Sequence, residues 1–230
     1  MFGRGSHGAL MDRVYKRQRH IYNITRRYYL IGRDELIRGL GLRPGDSAVE
    51  IGCGTARNLI AIARRHPGAR LFGLDASRAM LETAAEAVAR AGLSRRITLA
   101  QGFAEAFSPG SFGESAGFDA VVFSYSLSMI PDWRRALAAA QETLSATGRI
   151  HVVDFGDFGG LPRGAAVALR FWLKRFHVVP RSELLRVLES ASSESDLHVY
   201  AGRYAFRWRG ALPEGVLANV AGPPQAAEIS

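Results

Sequence analysis

The sequence predicts an open α/β sheet of mainly parallel strands. From residue 46 onward, short apolar runs alternate with stretches of helical periodicity, and this alternation is typical of parallel strands joined by helical crossovers. The chain has 230 residues, of which 47% are hydrophobic, so it is long enough to bury one substantial core. We therefore expect one main domain.

The pattern also predicts the individual elements. We expect strands at about 47–51, 70–74, 96–100, 118–124 and 149–155, and helices at about 57–66, 77–91 and 132–144. A basic apolar helix at 163–176 and a second helix at 180–191 follow. Two final strands, at about 197–201 and 203–209, are separated by Gly202 and predict a closing antiparallel hairpin. The predicted sheet therefore has seven strands.

Charge and pattern divide the chain into three sections. Residues 1–45 are predicted to form a helical arm or lid, 46–210 the sheet domain, and 211–230 a flexible tail rich in turn formers. The arm has ten Arg and Lys against three acidic residues, whereas residues 46–156 hold eleven of each. The net charge of +9 therefore lies mainly on the arm.

The composition argues against several classes of protein. Cys53 is the only cysteine, so an internal disulfide is excluded and a metal site is not expected. Apolar runs stay short of a membrane span, and residues 1–10 lack the apolar core of a secretion signal. We expect a cytoplasmic protein that associates with a membrane only peripherally.

The stretch "VEIGCGTARN" at 49–58 carries the main functional signal. An apolar strand leads into a glycine turn and then into the start of a helix, which is typical of a site for a nucleotide-like ligand. A dinucleotide fingerprint would need a third glycine at position 57, where the chain has Arg57. A nicotinamide cofactor is therefore not predicted.

Residues Glu50-Ile51-Gly52-Cys53-Gly54 instead resemble the E/D-x-G-x-G motif of class I S-adenosylmethionine-dependent methyltransferases, whose sheet is Rossmann-like. The resemblance implies S-adenosyl-L-methionine as cofactor and S-adenosyl-L-homocysteine as product. It places Gly52, Cys53 and Gly54 along the methionine and ribose portion, with Glu50 holding the loop or the amino group. Ala56 stands where many members have a further glycine, so we expect slight crowding there.

Later strand ends supply the other cofactor candidates. Asp75 ends the second predicted strand 21 residues after Gly54, where a carboxylate accepts from both ribose hydroxyls. The alternative is that Asp75 only caps the helix that starts at Ser77. The remaining candidates are Ala76 beside Asp75, Phe103 and Ala104 against adenine, and Ser124 and Tyr125 near the reacting group.

The arm carries a second resemblance, to a narrower group of methyltransferases. The stretch "MDRVYKRQRHIYNITRRYYLIGRDELI" at 11–37, together with "RFHVVPR" at 175–181, is similar to bacterial betaine-lipid N-methyltransferases. That resemblance implies three methylations of diacylglyceryl-homoserine to diacylglyceryl-trimethylhomoserine. From the residue chemistry we expect Tyr22 to position the amine, and His151 or Asp154 to accept its proton. The other substrate candidates are Tyr15, Arg19, Tyr28, Tyr29 and Arg33, although an arm that simply packs its tyrosines on the sheet is the alternative.

The helix predicted at 163–176 combines basic and aromatic residues. Arg170, Trp172 and Lys174 are the candidates for contact with an anionic membrane surface, and ordinary packing on the sheet is the alternative. We expect a lipid substrate there and no nucleic acid partner. Three other functions stay open: methylation of phosphatidylethanolamine or a small amine, methylation of RNA, and non-catalytic cofactor binding at a membrane.

Overall fold

The computed structural model describes residues 30–175, 178–191 and 195–213. Seven strands form one sheet in the order β3-β2-β1-β4-β5-β7-β6. The strands are β1 (Ser47–Ile51), β2 (Arg70–Asp75), β3 (Ile97–Gln101), β4 (Phe118–Ser124), β5 (Leu144–Phe155), β6 (Asp196–Val199) and β7 (Ala205–Gly210). The helices are α1 (Arg33–Arg38), α2 (Arg57–Arg65), α3 (Arg78–Arg90), α4 (Trp133–Glu142), α5 (Arg163–Lys174) and α6 (Ser182–Ser190).

The sheet is parallel from β3 through β5 and antiparallel at its other edge. β7 lies between β5 and β6 and runs antiparallel to both. The hairpin turns through a short 3-10 segment, Ala201–Arg203, in which Gly202 has a φ of 61°. The predicted seven-stranded sheet with a closing hairpin is therefore confirmed.

Two apolar layers cover the sheet. On one face, α4 and α6 pack against side chains such as Val49 and Ile150. On the other face, α1, α2, α3 and α5 pack against side chains such as Ala48 and Val153. Successive strand residues point to opposite faces. Because both faces are covered by apolar layers, most residues of the central strands are buried, and these strands therefore read as continuous apolar runs in the sequence.

One boundary differs clearly from its prediction. β5 begins at Leu144, five residues before the predicted start, and its pairing with β4 is interrupted between Phe118 and Ala120. A bulge of this kind adds residues that carry no apolar alternation, and the residues "SATG" at 145–148 have none. The sequence pattern therefore gave no signal for this part of the strand.

Of the predicted arm, the structure describes only residues 30–45, which include α1. Of the predicted tail, it describes 211–213. Tyr15, Arg19, Tyr22, Tyr28 and Tyr29 lie outside the described residues, so their proposed roles stay predictions. Within the described part of the chain, no helix is long and apolar enough to cross a membrane.

Candidate functional site

A cleft opens at the carboxyl ends of the parallel strands. Strand order reverses between β1 and β4, and open α/β sheets bind their ligands at such a reversal. The cleft is lined by residues within 50–58, 74–76, 102–105 and 124–131, together with Leu30, Arg33 and Met80. All ten predicted cofactor residues therefore meet in one place: Glu50, Gly52, Cys53, Gly54, Asp75, Ala76, Phe103, Ala104, Ser124 and Tyr125.

The glycine loop, residues 52–56, has a backbone that only small residues adopt easily. Gly52 and Gly54 have φ values of 74° and 54°, in the left-handed region. A Cβ on Gly52 would lie 2.8 Å from Ser126 Cβ, whereas a Cβ on Gly54 would meet nothing within 4 Å. Gly52 thus permits close packing against β4, and Gly54 leaves open space for a ligand.

Ala56 takes the place of the further glycine without entering the cleft. It also has a left-handed φ, 59°, and it is the N-cap of α2. Its side chain is fully buried in the layer formed by α1, α2, α3 and α5. The expected crowding would therefore fall on the protein interior, away from the cleft.

Glu50 is a buried carboxylate beneath the glycine loop. Its Oε1 accepts a hydrogen bond of 2.6 Å from Asn58 Nδ2 on the first turn of α2. This bond ties the end of β1 to α2 and fixes the loop between them. Glu50 also lines the cleft, so both roles implied by the resemblance, holding the loop and facing a cationic ligand group, are compatible with its position.

Asp75 joins the glycine loop to the start of α3. Its Oδ2 accepts from Gly54 N at 2.8 Å, and its Oδ1 accepts from Ser77 N at 2.9 Å. The N-cap of α3 is Ser77, whose side chain accepts from Met80 N. Asp75 therefore does more than cap a helix, and it also lines the cleft.

The wall beyond Asp75 suits a flat apolar group. Phe103 and Ala104 line the cleft just after β3, and Met80 on α3 and Ile130 after β4 line it as well. Phe103 uses its carbonyl within the turn, where it accepts from Ala106 N at 3.2 Å. These side chains provide the apolar contact that an adenine ring requires.

The β4 loop, residues 125–131, forms the opposite wall. Tyr125 is buried with a φ of 55°, and its hydroxyl donates to the Ile31 carbonyl at 2.6 Å. Burial raises the pKa of Tyr125 far above its usual value, so the phenol stays protonated. Tyr125 therefore anchors the segment before α1 to the cleft wall.

Ser126 is the clearest unsatisfied group in the cleft. Its side chain is only 6% exposed, and its Oγ has no hydrogen-bond partner among the described residues. A buried hydroxyl of this kind costs free energy unless a ligand or water satisfies it. It lies beside Gly52 and lines the cleft, so a polar ligand atom is expected near it in the cleft.

Asp154 lies behind the β4 loop, outside the cleft lining. Its Oδ2 accepts from Ser128 N at 2.9 Å, and its Oδ1 accepts from Phe155 N at 2.7 Å. Complete burial raises its pKa to about 6. The structure thus assigns Asp154 to holding the loop in place and does not bring it to a substrate as a proton acceptor.

His151 is also buried within the sheet and away from the cleft. It lies on β5 between Val122 of β4 and Arg209 of β7. Burial, followed by the charge of Arg209, lowers its pKa to about 3. An imidazole with so low a pKa is a poor proton acceptor, and the described cleft lining contains no histidine.

The sequence reasoning missed several cleft residues. Ser126, Asn58 and Met80 were not predicted, although Ser126 lies one residue beyond the predicted pair at the end of β4. The Ser-Tyr-Ser spacing was the available signal, because residues two apart at a strand end face the same side. Arg33 was predicted, and it lines the cleft while 7% exposed.

The residues fit S-adenosylmethionine on two observations. The space beside Gly54 admits a ligand close to the backbone, and the apolar wall at Phe103 suits adenine. Glu50, Gly54 and Asp75 would hold the methionine and ribose portions. When bound, this cofactor supplies an electrophilic methyl group on sulfur.

Comparisons with known proteins agree on the class. Residues 49–150 match the family model described as a methyltransferase domain. Protein-L-isoaspartate O-methyltransferase of Methylorubrum populi is 32% identical over 127 residues, covering 54% of this chain and 52% of the relative. The demethylmenaquinone methyltransferase of Mycolicibacterium paratuberculosis is 26% identical over 205 residues, covering 87% of this chain and 77% of the relative.

Solved structures share the fold. The S-adenosylmethionine-dependent methyltransferase SibL superposes with a TM-score of 0.60 at 22% identity, covering 84% of this chain and 58% of that one. A SAM dependent methyltransferase from Aquifex aeolicus gives 0.59 at 15% identity, covering 82% and 93%. At these identities the likeness concerns the fold alone.

These findings show a methyltransferase domain over residues 49–150 and the fold of S-adenosylmethionine-dependent methyltransferases, and they support S-adenosylmethionine as the ligand of the cleft and S-adenosylhomocysteine as its product. The chain spans about half the length of the first relatives that it matches. The relatives are named for different acceptors, including isoaspartate, demethylmenaquinone and trans-aconitate. What they share with this chain is therefore the methyltransferase domain.

Proposed function

We propose that this protein transfers methyl groups to an amine nitrogen on a membrane lipid headgroup, in three steps that convert diacylglyceryl-homoserine to its trimethylated betaine form. The observation that carries the amine part is the buried Ser126 hydroxyl, which lines the cleft and lacks a partner among the described residues. In the first two transfers it accepts a hydrogen bond from an N–H of the neutral primary or secondary amine and so orients the nitrogen lone pair, and the proton lost in each of these steps passes to solvent. The tertiary amine of the third transfer has no N–H and is held by the rest of the headgroup. Methyl transfer requires that alignment more than it requires acid–base groups.

The titratable groups of the cleft favour an acceptor that is nucleophilic without a protein base to activate it, such as a neutral amine. Burial raises the pKa values of Cys53 and Tyr125, so neither is a base at neutral pH. Glu50 and Asp75 are engaged with Asn58 and with backbone N–H groups. A hydroxyl acceptor would need an activating base, whereas an amine needs only to lose the proton that it carries in solution.

Arg33 supports a substrate or cofactor that has a carboxylate. Its guanidinium belongs to a largely buried side chain that lines the cleft, and arginine matches the geometry of a carboxylate. Homoserine headgroups carry an amine and a carboxylate on one carbon. Ser126 and Arg33 would then contact the two polar groups of the same headgroup, or Arg33 would hold the carboxylate of the cofactor.

The lipid part of the proposal is supported by the resemblance of the arm and of "RFHVVPR" to betaine-lipid enzymes. A second candidate is a carbon of a membrane quinone, because the relative that covers 87% of this chain is a demethylmenaquinone methyltransferase. The two acceptors would use Ser126 differently: an amine N–H donates to its oxygen, whereas a quinone carbonyl accepts from its hydroxyl. The preference for the amine therefore rests on the resemblance of the arm and on the carboxylate that Arg33 would hold.

Methylation of defined acceptors tests the proposal. The full chain is incubated with labelled S-adenosylmethionine and detergent-dispersed diacylglyceryl-homoserine, phosphatidylethanolamine or demethylmenaquinone, and the products are identified by mass spectrometry. We expect mono-, di- and trimethylated homoserine lipid. Label only in the quinone would replace the proposal with the second candidate, and label only in phosphatidylethanolamine would change the headgroup.

The role of Ser126 is tested by Ser126→Ala. Removing the hydroxyl should lower kcat/KM for the amine lipid about tenfold, the equivalent of one hydrogen bond to a charged or polarised group, while S-adenosylhomocysteine affinity stays within about threefold of the parent. Ser128→Ala is the matched control, because Ser128 is buried on the same loop but does not line the cleft. Equal kcat/KM in the two variants would contradict the role.

A further inference from the structure

We propose that the exposed face of α5 docks the protein on an anionic lipid surface beside the mouth of the cleft. This docking face consists of Val167 and Phe171 at its centre, with Arg163, Lys174 and Arg175 around them. The inference rests on the proposed function for its substrate class, whereas the docking itself is measured without catalysis.

The docking face follows from the helical positions of α5. At 100° per residue, Val167 and Phe171 lie on one side, with Arg163 and Lys174 to one edge and Arg175 to the other. Val167 is 65% exposed and Phe171 is 70% exposed. A helix that exposes apolar side chains between basic ones is typical of peptides that lie in a membrane interface.

The structure replaces Trp172 with Phe171 as the aromatic residue of α5 that we expect to meet the membrane. Trp172 is half-buried and packs with Leu169 against the interior layer beneath α5. Arg170 is exposed but committed, because its Nη2 donates to the Asp157 carbonyl at 2.6 Å and its guanidinium lies 5.7 Å from the Phe158 ring centroid. The contact with lipid therefore shifts from Arg170 and Trp172 to Val167 and Phe171.

The docking face is adjacent to the cleft through the β4 loop. Leu173 of α5 is buried in the same layer as Tyr125, and Val179, just beyond α5, donates its N–H to the Ser128 carbonyl at 3.0 Å. Ile31 accepts from the Tyr125 hydroxyl. Of the four exposed large apolar residues of the described chain, Ile31 and Val179 are thus hydrogen-bonded to the loop lining the cleft. Val167 and Phe171 lie on the helix whose Leu173 shares its apolar layer with Tyr125.

The local charges favour an anionic partner. The helix sequence "RGAAVALRFWLK" contains no acidic residue. The nearby acids Asp157 and Glu189 are both paired with Arg203, at 2.7 and 3.2 Å. Each basic residue near an anionic bilayer adds to the attraction, and because salt screens exposed charges, several of them together give salt-dependent binding.

The alternative occupants fit less well. Residues 1–29 carry seven Arg and Lys against one acid, so this segment and α5 repel each other, and both are attracted to the same anionic surface. A second copy of the chain would likewise bring two basic helices together. Nucleic acid would satisfy the charges but would leave the exposed Val167 and Phe171 without an apolar partner.

Vesicle flotation with the full chain tests the docking face. We expect binding to phosphatidylglycerol-containing vesicles, less binding to pure phosphatidylcholine, and loss of binding as salt rises. Two double variants, Val167→Ser/Phe171→Ser and Lys174→Glu/Arg175→Glu, should each weaken partitioning at least about tenfold. Both alter exposed side chains, so circular dichroism and S-adenosylhomocysteine affinity should stay at the parent's values.

Arg64→Glu/Arg65→Glu is the matched control. It reverses the same charge on exposed residues in the last turn of α2, which runs away from the carboxyl edge of the sheet, and it should bind vesicles like the parent. Vesicle binding that is absent in the parent, or equal in all variants, would overturn the docking face. So would RNA binding or self-association that the two double variants abolish while vesicle binding is unchanged.

Activity separates this inference from the proposed function. The two docking variants should methylate detergent-dispersed lipid at the parent's rate and vesicle lipid more slowly. A parent that docks but methylates no amine would refute the proposed function alone, and a parent that methylates dispersed amine lipid without docking would refute the docking face alone.

Discussion

The two walls of the cleft are built in different ways. On the glycine-loop wall, the fixing hydrogen bonds join positions close in sequence, 8 residues apart for Asn58–Glu50 and 21 for Gly54–Asp75. On the β4-loop wall, Ser128–Asp154 spans a similar 26 residues, but Tyr125–Ile31 spans 94. The glycine-loop wall is thus specified within residues 50–75, whereas the β4-loop wall, which we propose for the acceptor, also depends on the distant segment before α1.

This difference matches the difference in function. The relatives are named as methyltransferases of unrelated acceptors, so methyl transfer is what their names share. A locally encoded wall keeps its shape when the rest of the chain changes, while a wall assembled from distant segments changes with each of them. We therefore expect substitutions on the glycine-loop wall to affect cofactor affinity most, and those on the β4-loop side to affect acceptor use and stability.

The largest effect is expected for Gly54→Leu. The new side chain would enter the open space beside the loop and occupy the place of the cofactor, weakening S-adenosylhomocysteine binding by about a hundredfold, equivalent to nearly 3 kcal/mol. Titration calorimetry with S-adenosylhomocysteine measures this loss of affinity. Gly92→Leu is the control, since Gly92 also has a left-handed φ, 70°, and open space, but lies outside the cleft. Both variants should lose similar stability, and loss of cofactor binding in both would refute the site.

Asp75→Ala should have the next largest effect. It removes the acceptor for Gly54 N and Ser77 N and any bond to ribose, so we expect about tenfold weaker cofactor binding and about 1–3 kcal/mol lower stability. Ser77→Ala controls for the helix start, because losing the N-cap costs about 1 kcal/mol and should leave cofactor affinity intact. If Asp75→Ala behaves like Ser77→Ala in both measurements, Asp75 serves only the fold.

The same contrast explains what the sequence predicted. The bounds of β1 and β4 were predicted to the residue, and Gly52, Gly54 and Asp75 meet in the cleft as expected, because strand alternation and motif spacing are local signals. His151 and Asp154 were expected near the substrate and lie behind the wall. Their chemistry suited the role, but strand register decides which way a side chain faces, and the bulge in β5 left no trace in the sequence pattern.

Buried His151 should make the β4–β5 region sensitive to acid. Its pKa is lowered to about 3 in the folded protein, against an ordinary value of 6.5. The folded state therefore binds fewer protons than the unfolded state between these values, so stability is complete above about pH 6.5 and falls as pH falls below it. His151→Gln should flatten this dependence.

Urea unfolding midpoints at pH 5.0 and 7.5 would measure the effect of His151. His198→Gln changes an exposed histidine on β6 and should keep the parent's dependence. An equal fall in midpoint for the parent and His151→Gln would mean that another group governs the response to acid. Cofactor affinity at pH 7.5 should be the same in all three proteins, since His151 lies outside the cleft.

The smallest effect is expected for Ala56→Gly, which tests whether the one departure from the glycine motif alters the cofactor wall. Glycine would relieve the left-handed backbone of Ala56 by about 1 kcal/mol but would remove a fully buried methyl group worth about 0.8 kcal/mol. These contributions nearly cancel, so stability should change by less than about 1 kcal/mol.

Ala63→Gly, within α2, is the control for Ala56→Gly. It loses a buried methyl group and helix propensity, which together cost about 1 kcal/mol or more, and it relieves no backbone strain. Since Ala56 is absent from the cleft lining, calorimetry should give the parent's cofactor affinity within about threefold, and a tenfold gain would mean that the methyl group crowds the ligand after all.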